Sequence, residues 1–259
     1  MDSHLLEIKS VTKRFGGVTA VDDVSFHVNE GEIVAVIGPN GAGKTTLFNV
    51  ISCIYSPTSG DVVYRGEKLN HCRVDELAEK GLTRTFQNLQ VFENMSVLEN
   101  VMLGTHVKLK TNVLRAGLRT PVVRRDEQVS RQLAEQALEQ VGLIERKNDI
   151  AGAISYGSQK LLEIARAIVS NPRLMLLDEP MAGLNDSERK TIADFLLQLK
   201  QEGMTLLFVE HDVATVMEIA DRIVVIDFGA KIAEGSPREI QENEAVIKAY
   251  LGEEVDDAC

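Results

Sequence analysis

The residues Gly38-Pro39-Asn40-Gly41-Ala42-Gly43-Lys44-Thr45-Thr46 fit the pattern G-x-x-x-x-G-K-[ST]. Glycines at these spacings let successive backbone N–H groups turn inward on a polyanion, and a helix starting there adds its positive dipole end. Lys44 can reach the outer phosphates of a nucleoside triphosphate, and the Thr45 hydroxyl is placed to ligate Mg²⁺. A second centre of chemistry is Asp178-Glu179, two carboxylates that close the apolar run Leu174-Met175-Leu176-Leu177. Asp178 suits a Mg²⁺ shell, and Glu179 suits orienting or deprotonating an attacking water. A third, Glu210-His211-Asp212, follows Leu206-Leu207-Phe208-Val209, and His211 there can hydrogen-bond a terminal phosphate. The histidines at 4, 27, 71 and 106 have no such setting.

Bringing three such centres together needs strands whose ends meet. Ile33–Ile37 and the two runs just named are unbroken apolar segments, as expected of strands buried on both faces. Helical patterns alternate with them, which argues an α/β fold with a parallel sheet and ligands at the C-terminal strand ends. Short strands are expected at Leu5–Ile8 and Val24–Val28, and a hairpin at Ile223–Ile226 and Lys231–Ala233 around Asp227-Phe228-Gly229-Ala230. The stretch from about 95 to 159 has no strand-like run. Within it Leu133, Ala137, Leu138 and Val141 recur at helical spacing, so it is expected to be a helical insertion. The expected layout is one domain over 1–259. Its N-terminal β and nucleotide-binding core covers about 1–94 and 160–235, and a tail of about 236–259 ends in an irregular acidic stretch.

The 259 residues are 44% hydrophobic and 26% charged, enough for a full core and too apolar for a disordered chain. A net charge of −11 argues against a general nucleic-acid binder, which needs a basic field. No apolar stretch approaches the ~18 residues that span a bilayer. Cys53, Cys72 and Cys259 lie far apart, which excludes a disulfide framework and a Cys-rich zinc site. One segment opposes the acidic balance. Residues 106–131 carry Lys108, Lys110, Arg115, Arg119, Arg124, Arg125 and Arg131 against Asp126 and Glu127, a basic insertion suited to an anionic lipid surface.

Taken in order, the motifs resemble the nucleotide-binding subunit of ATP-binding-cassette transporters. Gln87 in Thr85-Phe86-Gln87-Asn88 matches that family's Q-loop. Ile154-Ser155-Tyr156-Gly157-Ser158-Gln159 matches its signature motif, ahead of a helix expected over Leu161–Val169. Ala182-Gly183-Leu184-Asn185 sits at the D-loop, His211 at the switch histidine, and Phe15 where the family stacks an aromatic on adenine. The resemblance implies a P-loop NTPase (RecA-like) core with an N-terminal antiparallel β subdomain and an inserted helical subdomain, using ATP and Mg²⁺. It assigns nucleotide binding to Phe15, Gly38, Pro39, Asn40, Gly41, Ala42, Gly43, Lys44, Thr45, Thr46, Ser155 and Gly157. Catalysis falls to Glu179, His211, Lys44 and Gln87, and the metal to Thr45, Gln87 and Asp178. Two departures stand out. Tyr156 and Ser158 replace a Gly and the Gln of L-S-G-G-Q, and Asn185 stands where many members have Asp.

The Tyr-Gly signature, Leu162–Ala167, Val209–Asp212 and the ending Val246–Gly252 resemble the branched-chain amino acid importer subgroup. That resemblance implies ATP hydrolysis coupled to uptake, at the cytoplasmic face of a membrane. The implied partners are two membrane permease subunits, a second cassette (LivF-type, or a second copy of this chain), and indirectly an extracytoplasmic solute-binding protein. Nucleic acid is not among them. Importers of urea or amides have similar ATPases, and a soluble non-transport cassette is the alternative from another class. A P-loop kinase accounts for neither the signature nor His211. Apolar residues within Val91–Leu98 are expected to line a groove that receives a permease helix.

Overall fold

Successive residues of the central strands enter different cores. In β3 (Ile33–Ile37), Ile33, Ala35 and Ile37 join one hydrophobic cluster while Val34 and Val36 join another. β7 (Leu174–Asp178) and β8 (Thr205–Val209) divide the same way, with Met175, Leu177, Leu206 and Phe208 on one face and Leu174, Leu176, Leu207 and Val209 on the other. Double-sided burial is the reason these strands are written as unbroken apolar runs. The computed structural model describes residues 4–85, 90–105 and 121–256, and the side chains of all these except 121–124 and 251–256.

With β6 (Leu82–Arg84), β9 (Arg222–Asp227) and β10 (Ala230–Gly235), these strands form a six-stranded sheet in the order β10-β9-β3-β8-β7-β6. All neighbours run parallel except the β9–β10 hairpin. One face is covered by α3 (Val97–Leu103), α4 (Pro121–Gln140), α5 (Tyr156–Ile168), α6 (Asp186–Gln201) and α7 (Val213–Ile219). The other is covered by α1 (Lys44–Ile51), α2 (Val74–Lys80) and a four-stranded antiparallel sheet. That second sheet runs β2 (Val18–Val28), β1 (Leu6–Phe15), β4 (Ser59–Tyr64), β5 (Glu67–Lys68). α8 (Pro237–Gln241) and α9 (Glu244–Asp256) follow the last hairpin. The fold is therefore the expected α/β class: a mixed nucleotide-binding-type sheet, an antiparallel N-terminal sheet, and helices α3 to α5 inserted between β6 and β7.

Three local expectations are corrected. The N-terminal strands are 10 and 11 residues long and pair from Leu6↔Val28 to the tip at Phe15↔Val18 through register irregularities between Ile8 and Arg14, because β1 is held by β2 on one side and β4 on the other. α5 starts at Tyr156 rather than Leu161, since Ser155 is extended and its side chain accepts from the Ser158 N–H as an N-cap. α9 continues to Asp256, where an irregular acidic tail was expected. Elsewhere the helical pattern holds, with Ala137, Leu138 and Val141 of the 131–141 segment buried, Ala134 beside them and Leu133 partly so. The basic segment lies outside the described residues up to 120; Arg125 and Arg131 are described, in α4.

Arg222 fastens the two sheets together at the start of β9. Its Nε donates to Glu32 Oε1 (2.8 Å), its Nη2 to Glu32 Oε2 (3.0 Å) and the His27 carbonyl (2.6 Å), and its Nη1 to Glu234. Burial pushes the Glu32 carboxyl up, but the Arg222 guanidinium and the Asn29 N–H outweigh it and hold the group below its ordinary 4.5. A depressed carboxylate contributes stability above its unfolded pKa and loses it as pH falls through the folded value. Arg222→Met is therefore expected to cost about 1 kcal/mol at neutral pH, a figure already reduced for solvent screening of this partly exposed network. Chemical unfolding of both proteins as a function of pH checks it: their difference should shrink below about pH 4.

Candidate functional site

Register places the three chemical centres on one edge. Val36 of β3 and Asp178 of β7 both pair with Val209 of β8, so the loops leaving these strands start in one row, about 4.8 Å apart per strand. Gly38–Thr46 leaves from β3, Asp178-Glu179 from β7 and Glu210-His211 from β8.

The phosphate loop is shaped by close backbone contacts. Gly38 has φ 152°, and a Cβ there would lie 1.9 Å from the Ile226 carbonyl oxygen; Gly43 has φ 102°, and its Cβ would lie 2.2 Å from that of Ala20. Only glycine fits either position. The β9–β10 turn braces the loop further, with Gly229 N–H donating to Ala42 O (2.9 Å) and Asp22 N–H to Gly229 O (2.8 Å). α1 begins at Lys44 with no side-chain cap and no acidic residue in its first turn, leaving its N-terminus open to an anion. Lys44 is buried, and its ammonium donates to the carbonyls of Gly38 (2.6 Å) and Pro39 (2.8 Å). Phe15 is 43% exposed at the β1–β2 tip, edge-on to Tyr55 at 5.2 Å, with Lys13 Nζ 5.0 Å from its ring centre. Tyr55 is an aromatic neighbour that the sequence pattern does not mark.

Asp178 and Glu179 are both buried but differently held. Arg84 Nη2 donates to Asp178 Oδ2 at 2.7 Å, whereas Asp178 Oδ1 is buried with no hydrogen-bond partner among the described residues. That spare acceptor suits an oxygen-ligated cation such as Mg²⁺. Glu179 has φ 50°, a costly backbone state for this residue type, held by its N–H donating to Val209 O (3.0 Å). His211 Nε2 lies 2.6 Å from Glu179 Oε1. A single proton is shared across this contact. The histidine expected to meet a phosphate is thus also a clamp on Glu179. Glu210, which the sequence pattern passes over, accepts from the Met181 N–H (2.8 Å) and the His211 N–H (3.0 Å). Burial pushes its carboxyl up against those two donors, and Glu179 adds to the rise.

The signature segment sits elsewhere. Tyr156 packs on Gly183, whose Cβ would lie 3.3 Å from the ring, and Gly157 is packed against Glu188 of α6. Asn185 caps α6, accepting from the Glu188 N–H at 3.0 Å, a duty for which Asn serves as well as Asp. Ser155 Oγ is 2.9 Å from Ser158 Oγ. Lys160, buried in α5, reaches the Glu179 carbonyl at 3.5 Å and so links the signature helix to the catalytic turn. Gln87 lies outside the described residues.

These features define a P-loop cassette for a nucleoside triphosphate. The family described as "ABC transporter" matches residues 21–182, and "Branched-chain amino acid ATP-binding cassette transporter" matches 230–256. The chain belongs to the ABC transporter family. It is 44% identical over 98% of its length, and all of the relative's, to the high-affinity branched-chain amino acid transport ATP-binding protein BraF of Pseudomonas aeruginosa. Identity to the ATP-binding protein LivG of Escherichia coli K12 is 41% over the same shares of both chains. The ADP conformation of MJ1267, an ATP-binding cassette of an ABC transporter, superposes with a TM-score of 0.84 at 32% identity, covering 96% of this chain and 99% of that one. ATP binding and hydrolysis coupled to transport are the activity of this family's cassettes.

Gly43→Ala tests whether the braced loop is the nucleotide cradle. The added methyl and the unfavourable φ should weaken ATP binding by about tenfold or more. Titration with a fluorescent ATP analogue measures this; wild-type affinity would mean the loop relaxes freely.

Proposed function

We propose that this chain is the ATP-hydrolysing subunit of an importer for branched-chain amino acids, working with membrane permeases as one of two paired cassettes. The observation that carries the reading is the near-full-length match to BraF and LivG, supported by a sheet edge from which Lys44, Asp178, Glu179 and His211 all leave. No helix among the described residues is long and apolar enough to cross a membrane.

The residues divide the work as follows. Backbone N–H groups of Gly41–Thr46 and the Lys44 ammonium hold the phosphates, with Lys44 exchanging its loop carbonyls for phosphate oxygens. Phe15 stacks on adenine. Thr45 and Asp178 are the residues that would hold Mg²⁺, with Gln87; the ion supplies charge that neutralises the outer phosphate oxygens. Glu179 accepts the proton of the attacking water, and His211 Nε2, which meets the Glu179 carboxylate without nucleotide, would turn its N–H to the γ-phosphate once ATP is bound, freeing the carboxylate for the water. The phosphate loop is built against Ala20 and Ile226 and the signature against Gly183 and Glu188. These are separate neighbourhoods, so Ser155 and Gly157 would complete the site of a facing cassette, either a LivF-like companion or a second copy. Glu179→Gln is expected to lower ATP hydrolysis by about 10²–10³-fold with nucleotide still bound, as removal of a general base does. Phosphate-release assays check this, and wild-type turnover would remove Glu179 from its role.

Permease docking has a ready place. A cavity of about 410 Å³ between β6, α2 and α5 is lined by Arg84, Phe92, Gly104, Arg166 and their neighbours. Phe92 is 54% exposed, with Arg166 5.9 Å from its ring centre. Within Val91–Leu98 only Phe92 faces the groove; Val97 and Leu98 are buried core and Val91 packs on it, so the expectation of an apolar lining holds for one residue. Phe92→Ala should keep basal ATPase within about twofold while lowering permease copurification about fivefold or more. Uptake of radiolabelled leucine by cells lacking the native gene, complemented with wild type or Lys44→Ala, tests the importer itself. Leucine uptake restored only by wild type supports it; urea uptake restored instead would overturn the solute assignment.

A further inference from the structure

The buried pair between Arg84 and Asp178 does more than neutralise a carboxylate. Arg84 closes β6 with its side chain 7% exposed, against 2% for Asp178. While Nη2 holds Asp178 Oδ2, Nη1 donates to Ser52 Oγ (2.5 Å) and Asn49 Oδ1 (2.8 Å), and the guanidinium sits 5.9 Å from the Phe48 ring centre. Phe48 and Asn49 belong to α1, and Ser52 caps its end. The opposite end of that rigid helix carries Thr45. A planar fork therefore grips the far end of the helix bearing one Mg²⁺ ligand candidate and the carboxylate of the other, leaving Asp178 Oδ1 unpaired. Arg84 also lines the groove, together with Thr85, its neighbour in sequence.

We propose that Arg84 is a positioning residue for the Mg²⁺ site, fixing Asp178 relative to α1 and linking that site to the groove wall. Lys in its place would keep the charge but lose the fork. The link to transport rests on the permease reading given above; the positioning role does not.

The test is calorimetric binding of the non-hydrolysable analogue AMP-PNP to the full chain, with Mg²⁺ and with EDTA. Arg84→Met should erase about tenfold of the affinity gained from Mg²⁺ while changing metal-free affinity by less than about twofold. Arg84→Lys should recover about threefold of that loss, and alone keeps the idea testable if the Met variant does not fold. Equal weakening with and without Mg²⁺ would reduce Arg84 to a structural strut, and an unchanged Mg²⁺ gain would overturn the proposal. The groove link is read with Val74→Trp, an exposed substitution on the cavity rim. Its effect on the Mg²⁺ gain should vanish in the Arg84→Lys background; additive effects, or none in wild type, overturn the link. None of these measurements requires a permease, so failure of leucine uptake and failure of this proposal are separate results.

Discussion

Parallel pairing of β3, β7 and β8 is the constraint on which the site depends. A parallel sheet aligns strand ends, so a single register sets where the phosphate loop, the acidic pair and the histidine begin. Slippage by one residue would exchange the two faces of every strand, placing Ile33, Ala35 and Ile37 in the wrong core. Two hydrophobic clusters thus hold the catalytic geometry.

On that frame the polar groups are held by one another. Glu179 is kept in a left-handed backbone state, its carboxylate by His211, the His211 N–H by Glu210, and its own carbonyl by Lys160. Glu179, Glu210 and Lys160 are buried, where a satisfied network is rigid and a broken one is costly, and the exposed His211 closes it from the solvent side. Strain at Glu179 is tolerated because the neighbouring strand and these side chains over-determine it.

Much of this was legible in the sequence because its signals are local. Nine contiguous residues declare the phosphate loop, and strand runs ending in Asp178 and Val209 declare where the other centres lie. What escaped is non-local. Arg84 stands 94 residues from Asp178 and 32 from Ser52, and nothing around it marks a buried cation. Glu210 resembles one more strand-end acid until two backbone donors are seen converging on it. The β1–β2 ribbon outruns its apolar alternation because Lys9 and Ser10 interrupt both pattern and register, and pairing resumes at Val11↔Val24 beyond them. The signature helix starts earlier than its apolar pattern suggests, because Ser155 caps it through the Ser158 N–H, a contact that no residue pattern marks.

The brace around the phosphate loop also sets an order of events during synthesis. Gly38 is moulded against Ile226, and β3 finds its two partners in β8 and β9, each made more than 160 residues later. A ribosome that has released the whole G-x-x-x-x-G-K-T stretch has therefore not yet released a nucleotide site. Until β8 emerges, β3 is an apolar strand with both edges unpaired, and until β9 follows it keeps one open edge, a species prone to aggregate. ATP, which binds only the finished cradle, then stabilises the completed chain and leaves truncated ones without that protection.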